Sequence, residues 1–219
     1  CILPDGIKKT FQDFLQAGEI PNMLLSGPPG IGKTTVAKAL CNQLGADYYV
    51  INGSDEGRFL DTVRTNAKNF ASTVSLTSES KHKVIIIDEA DNTTSDVQLL
   101  LRASIEEFSK NCRFIFTCNY KNKIIDPLHS RCSVVDFSVN KKDKPTIAAQ
   151  FFSRINHILD KENIKSDKKV VAELISKHFP DWRRVLNECQ RYSVGGEIDS
   201  GILASFSDVS INDLTKNLK

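Results

Sequence analysis

The chain has 219 residues, 40% of them hydrophobic, with a formal net charge of only +2, enough for one sizeable domain and a smaller one. No apolar run approaches the roughly 20 residues that a membrane-spanning helix needs, no secretory leader is expected, and the balanced charge gives no whole-molecule case for nucleic acid, so a basic face must be argued residue by residue. Six cysteines, at 1, 41, 112, 118, 132 and 189, form no C-x-x-C pair and do not cluster with the four histidines, which reads as reduced, mostly buried thiols in a cytosolic protein.

The first predicted element is a helix over 7–17, with Ile7, Phe11, Phe14 and Leu15 on one face and Gly18 at its end. Met23, Leu24 and Leu25 then predict a buried strand. It breaks into Gly27-Pro28-Pro29-Gly30-Ile31-Gly32-Lys33-Thr34, which fits G-x-x-x-x-G-K-[ST] at every position. Val36, Ala37, Leu40, Cys41 and Leu44 follow at helical spacing, and Gly45 closes the helix. Strand, glycine loop and helix form a polyphosphate cradle, because glycines let main-chain N–H groups turn inward and the helix directs its positive end at the same charge. The segment Pro29, Gly30, Ile31, Gly32, Lys33, Thr34 and Thr35 is expected to hold a polyphosphate. Lys33 would reach the β- and γ-phosphates, and the Thr34 hydroxyl would ligate Mg²⁺.

Residues 48–51 predict a second strand. Residues 55–70 predict a helix on Phe59, Leu60, Val63, Ala67 and Phe70, with Arg58 and Arg64 on other faces, and 72–81 an exposed Ser/Thr-rich connection. Val84, Ile85, Ile86 and Ile87 then suit a strand buried on both faces. Asp88 and Glu89 stand at its carboxyl end, where open α/β sheets place their ligand crevice. Asp88 is expected in the Mg²⁺ shell, and Glu89 is expected to polarise the attacking water. A long helix over 95–108 carries apolar Leu99, Leu100, Ala103 and Ile105 with Arg102 facing elsewhere. The next strand, 113–119, ends on Asn119, placed to orient the lytic water or sense the γ-phosphate. A short helical turn over 124–132 presents Arg131, and a strand follows over 134–137. Alternating strands and helices, five strands in all, predict a three-layer α/β domain on a mostly parallel sheet.

The pattern then changes at the charged hinge Lys141-Lys142-Asp143-Lys144-Pro145. Three helical segments without strands, 146–161, 168–179 and 181–192, predict a small α-helical lid, with Gly195 and Gly196 as a stop. The expected division is an α/β nucleotide-binding domain over 1–140, a lid over 141–205 and the start of a further region over 206–219. The chain opens on Cys1 without an initiator methionine and ends in what reads as a continuing helix, so a trimmed piece of a longer protein is expected.

Taken together, the glycine loop, Ile85-Ile86-Ile87-Asp88-Glu89-Ala90-Asp91, Thr117-Cys118-Asn119, Ser130-Arg131-Cys132 and Pro180-Asp181-Trp182-Arg183-Arg184-Val185-Leu186-Asn187 resemble the AAA+ ATPases. More narrowly they resemble sliding-clamp loader subunits of the replication factor C type. The wording around Asn52-Gly53-Ser54-Asp55 and Ala71 to Val74 is most similar to the large clamp-loader subunit of T4-like bacteriophages. The resemblance implies an ATPase that opens a ring clamp and loads it on primer–template DNA within a hetero-oligomer, expected to be pentameric, in the cytoplasm (the host's, if phage-encoded). It implies that Arg131 reaches the γ-phosphate bound by a neighbouring subunit, with Lys33, Glu89 and Asn119 catalytic in cis, and that Arg183 contacts nucleotide from the lid. It also implies DNA contacts by Arg58, Arg64 and Arg102. The family's Leu-Arg-Arg stretch stands here as Leu101-Arg102-Ala103, so one basic contact is missing. The N-terminal residues that help close the adenine pocket and the helical collar are expected to lie outside this sequence. The zinc-binding cysteines of the bacterial subunits are missing. Other readings are a different AAA+ DNA-remodelling ATPase, such as a helicase loader or branch-migration motor, and a non-catalytic adaptor. The intact Lys33, Thr34, Asp88 and Glu89 argue against the adaptor.

Overall fold

The computed structural model describes residues 2–54, 62–73 and 82–198. It divides into two compact units, the first Leu3–Ser138 and the second beginning at Val139.

The first unit opens with helix α1 (Asp5–Ala17), which stops where Gly18 takes a left-handed φ of 66° and returns its N–H to Leu15 O. Phe11 is the buried anchor of this helix, its ring 6.3 Å from Phe14 and 6.1 Å from Phe137. Strands β1 (Met23–Ser26), β2 (Tyr48–Asn52), β3 (Lys83–Asp88), β4 (Cys112–Cys118) and β5 (Ser133–Asp136) form one sheet in the order β2-β3-β4-β1-β5. Every pairing is parallel. This is why β1, β3 and β4 read as unbroken apolar runs: they lie inside the sheet with both faces covered. Ile85, Ile86 and Ile87 have no solvent exposure, and burying each such side chain is worth about 1.5–3 kcal/mol. Helix α2 (Lys33–Gln43) follows β1, and α3 (Lys68–Ser72) precedes β3.

Three expectations need correction or restriction in this unit. The helix expected over 55–70 is described only from Thr62, where the chain winds as a π-helical turn (Thr62–Ala67) into α3. Residues 55–61, Arg58 among them, and 74–81 lie outside the described residues. Helix α4 (Ser95–Glu107) forms as expected but turns a different face to the core: Val97, Gln98, Leu101, Ser104 and Ile105 are buried, whereas Leu99 is 46% exposed and Ala103 is exposed. The run Leu99-Leu100-Leu101 leaves helical phase ambiguous, and the polar side chain of Gln98 decides it by finding buried partners.

Helix α5 (Asp126–His129) leads into β5. The second unit packs α6 (Lys144–Lys161), α7 (Lys168–His178) and α8 (Trp182–Ser193). Asp167 caps α7 by accepting from Lys169 N, and Asp181 caps α8 by accepting from Arg184 N. Ile155, Val170, Val171, Leu174 and Val185 are buried almost completely, and Trp182 stacks on Phe151 with ring centroids 4.1 Å apart. The expectation of a lid without strands is incorrect in one detail. Two short strands, β6 (Lys165–Ser166) and β7 (Glu197–Ile198), pair in parallel and fasten the start of α7 to the chain after α8. Two-residue strands carry no periodicity, so no pattern could announce them. Residues 199–219 lie outside the described residues.

Candidate functional site

The sheet order makes β3, β4 and β1 neighbours, and the register brings their carboxyl ends level: Ser26 pairs with Cys118, and Ile87 with Phe116. Asp88, Asn119 and the loop from Gly27, distant in sequence, therefore meet along one edge. Gly27 leaves β1 with its N–H on Cys118 O, and Gly32 ends the loop as the N-cap of α2 at φ 100°, a conformation that side chains disfavour. Along the loop and the first turn of α2, Pro29 and Thr35 are exposed, Gly30, Gly32 and Thr34 half-buried, and Ile31 and Lys33 buried. The first N–H groups of α2 lack intrahelical acceptors and face the loop's end, as any helix start does, and such a start favours an anion.

Lys33, only 7% exposed, points its Nζ at Gly27 O (2.7 Å), Pro28 O (2.9 Å) and Asn119 Oδ1 (2.9 Å). Its cation is thus delivered to the loop by three acceptors. Thr34 Oγ1 donates to Asp88 Oδ1 at 2.6 Å, and Thr117 Oγ1 donates to the same oxygen at 2.5 Å. A hydroxyl and a carboxylate held this way form a hard-oxygen donor set that fits Mg²⁺.

Glu89 sits at φ 54°, ψ 46°, in the left-handed region. That conformation costs a non-glycine residue about 1–2 kcal/mol, and three contacts on its turn offset the cost. Gly53 N donates to Asp88 O at 2.7 Å, Glu89 N donates to Thr117 Oγ1 at 3.1 Å, and Ala90 to Asn92 form a short 3₁₀ turn. Gly53 is required for close approach, because a Cβ there would lie 2.5 Å from Glu89 O. The Glu89 carboxylate accepts from Ser54 Oγ and, at 3.2 Å, from Asn92 Nδ2. Asp91, 6% exposed, accepts from the N–H groups of Asn119 and Tyr120, both at 3.1 Å, and so anchors the end of β4.

Arg131 stands apart from these hydrogen bonds. Its guanidinium bonds Glu106 through both Nε (2.9 Å) and Nη2, and Pro127 O through Nη1 (3.0 Å). Its side chain is 27% exposed, so it lies at the surface of its own unit rather than in the core. Glu106 also pairs with Arg102 at 3.6 Å, and the bonds from Arg131, then its charge, hold the Glu106 carboxyl below the ordinary range. Arg102 is thus half-buried in an ion pair rather than a bare solvated cation. Arg64 falls on the π-helical turn, and Arg183 is exposed on the first turn of α8 in the second unit.

Three residues without an assigned role in the sequence turn out to organise the site. Asp91 and Thr117 lay inside quoted motifs. The signal for Thr117 was a hydroxyl directly after the apolar run Phe114-Ile115-Phe116. Gln98 gave no signal. It is 1% exposed, donates to Thr93 O and Lys123 O, and accepts from Ile125 N at 2.8 Å. It thereby joins the turn after β3 to the segment entering α5.

Residues 23–139 match the ATPase family associated with various cellular activities, AAA. The chain belongs to the AAA ATPase family. Residues 143–204 of this AAA ATPase match a second family, the AAA+ ATPase lid domain of the sliding-clamp-loader large subunit. The chain is 44% identical over 208 residues to the sliding-clamp-loader large subunit of Escherichia phage RB69, covering 93% of this chain and 64% of that one. With the protein of the same name from Enterobacteria phage T4 it shares 42% over 225 residues, covering 100% and 69%. With the replication factor C small subunit of Methanocella arvoryzae it shares 40% over 189 residues, covering 84% and 56%. The chain thus spans less than two thirds of the RB69 relative. Among solved structures, the Thermotoga maritima RuvB Holliday junction branch migration motor superposes with a TM-score of 0.70 at 19% identity, covering 95% of this chain and 70% of that one, a likeness of fold. No helix among the described residues is long and apolar enough to cross a membrane.

Proposed function

We propose that this chain is the ATPase part of a sliding-clamp loader subunit, which uses ATP binding and hydrolysis to open a ring clamp and load it on primer–template DNA. The observation that carries the reading is the pair of side-chain hydrogen bonds made by adjacent residues at the carboxyl edge of the sheet, Lys33 to Asn119 and Thr34 to Asp88. The relatives named for clamp loading support the choice within the AAA ATPases.

In this reading the backbone from Pro29 to Thr35 cradles the phosphates, and Lys33 exchanges its loop carbonyls for β- and γ-phosphate oxygens. Thr34 and Asp88 hold Mg²⁺, which would neutralise phosphate charge. Glu89 polarises the attacking water, and Asn119 orients that water or senses the γ-phosphate. Arg131 leaves Glu106 to meet the γ-phosphate of a neighbouring subunit, so that turnover depends on assembly. A cation there is worth several kcal/mol in the transition state. Arg183 contacts nucleotide from the lid. Arg58, Arg64 and Arg102 contact DNA phosphates, a sequence-independent and salt-sensitive interaction. The partners are further loader subunits in a pentamer, the clamp and primer–template DNA in the cytoplasm. The domain limits are 1–140 for the ATPase, 141–205 for the lid and 206–219 for the start of a third region.

The test uses the full-length protein in its assembly. Lys33→Ala is expected to abolish ATP binding, and Arg131→Ala to spare binding and lose DNA-stimulated turnover. The clamp should stimulate hydrolysis. Stimulation by DNA but not by a ring clamp would favour a different DNA-remodelling motor, and normal turnover by Arg131→Ala in the assembly would end the trans role.

A further inference from the structure

Thr117 lies one residue short of the end of β4 and is 2% exposed. A hydroxyl at such a depth needs partners, and its two partners are Asp88, the last residue of β3, and Glu89 directly after it. A backbone N–H can only donate and an ionised carboxylate can only accept. The hydroxyl is therefore fully oriented: its proton goes to Asp88 Oδ1 at 2.5 Å, and its lone pair receives Glu89 N–H at 3.1 Å. One side chain on the neighbouring strand thus fixes the carboxylate of Asp88 and the peptide that sets Glu89 in its left-handed conformation.

We propose that Thr117 is a positioning residue for the acidic pair: it holds Asp88 Oδ1 in the orientation from which the carboxylate and Thr34 together receive Mg²⁺, and it pins the Glu89 peptide. The inference rests on the reading of Asp88 and Thr34 as the Mg²⁺ side of an ATP site. Asp88 Oδ1 takes the protons of both Thr34 and Thr117. The two hydroxyls hold the carboxylate from β4 and from the first turn of α2. A Thr34 oxygen that gave a lone pair to the metal could keep its O–H on Asp88, and the Thr117 bond would hold the carboxylate from β4 independently of the glycine loop. Groups that orient a metal-binding carboxylate in this way commonly account for about 10–100-fold in metal affinity or activity.

The experiment measures binding of a fluorescent ATP analogue to the full-length protein across a Mg²⁺ titration and in EDTA, for the parent, Thr117→Val, Thr117→Ser and Asp88→Ala. Thr117→Val, of nearly the same shape, is expected to raise the Mg²⁺ concentration for half-maximal binding by about 10–100-fold and to leave the affinity in EDTA unchanged. Thr117→Ser keeps the hydroxyl and should return the requirement close to the parent's. A folded Thr117→Val with the parent's Mg²⁺ requirement, beside an Asp88→Ala that shifts it, overturns the proposal and leaves the nucleotide reading standing. If Asp88→Ala is also without effect, the reading of Asp88 as the Mg²⁺ side of the site fails and the proposal with it; a parent that binds no analogue at any Mg²⁺ concentration ends the nucleotide reading. If Thr117→Val does not fold by circular dichroism, Thr117→Ala takes its place under the same criterion. If neither folds, the role is structural and the proposal is overturned.

Discussion

Replacing Asp91 by alanine removes the acceptor that holds the main chain at the end of β4. Two N–H groups, of Asn119 and Tyr120, bond its Oδ2 at 3.1 Å, and the residue is 6% exposed. Hydrogen bonds to a charged acceptor contribute about 1.5–3 kcal/mol each, so the gross loss is about 3–6 kcal/mol. Part of this is returned, because the other oxygen, Oδ1, is buried without a hydrogen-bond partner among the described residues and removing that group relieves its burial cost. The expected net destabilisation is about 2–4 kcal/mol. For a protein of this size that lowers the midpoint of thermal unfolding by roughly 4–16 °C. Asn119 is the side chain that meets Lys33, so the affinity for an ATP analogue should fall as well. Asp91→Asn retains a carbonyl oxygen for both N–H groups and should lose about half as much stability, since a neutral acceptor bonds more weakly. Calorimetry and an ATP-analogue titration on the three proteins check this together. An Asp91→Ala variant that melts with the parent and binds nucleotide equally well would refute the view that this carboxylate sets the end of β4.

Gln98→Leu keeps the bulk of the side chain and leaves Thr93 O, Lys123 O and Ile125 N without their partner. A loss of about 2–4 kcal/mol is expected by denaturant unfolding. Phe151→Ala empties the ring that stacks on Trp182 at 4.1 Å, and about 3–5 kcal/mol should be lost from the second unit. Trp182 is the chain's single tryptophan, so its emission reports that transition directly. Burial pushes the thiols of Cys41 and Cys112 up to about 12 from an ordinary 9.0. Unfolded thiols then ionise first as pH rises. Their contribution is complete below pH 9 and declines above it by up to about 1.4 kcal/mol per thiol per pH unit. Urea melts at pH 8 and pH 10 should show the decline, with a shallower slope in a Cys41→Ala, Cys112→Ala double variant.

The unbroken aliphatic strands, the glycine loop opening a helix, and the acids and amide just past the strand ends were legible in the residues alone, because each is a local pattern of period, breaker and functional group. That was sufficient for a parallel α/β sheet with Lys33, Thr34, Asp88 and Asn119 as candidates. Tertiary structure alone decided which face of α4 is buried, since three consecutive leucines permit several phases and Gln98 chooses by its partners across the fold. It also decided that Thr117 serves Asp88 and Glu89, that Asp91 holds the end of β4, and that Arg131 is engaged by Glu106. These bonds join residues some 25–30 positions apart in the chain. A hydrogen bond of that kind depends on strand order and register, which no single segment encodes, whereas a helix stripe or a phosphate loop is complete within its own few residues.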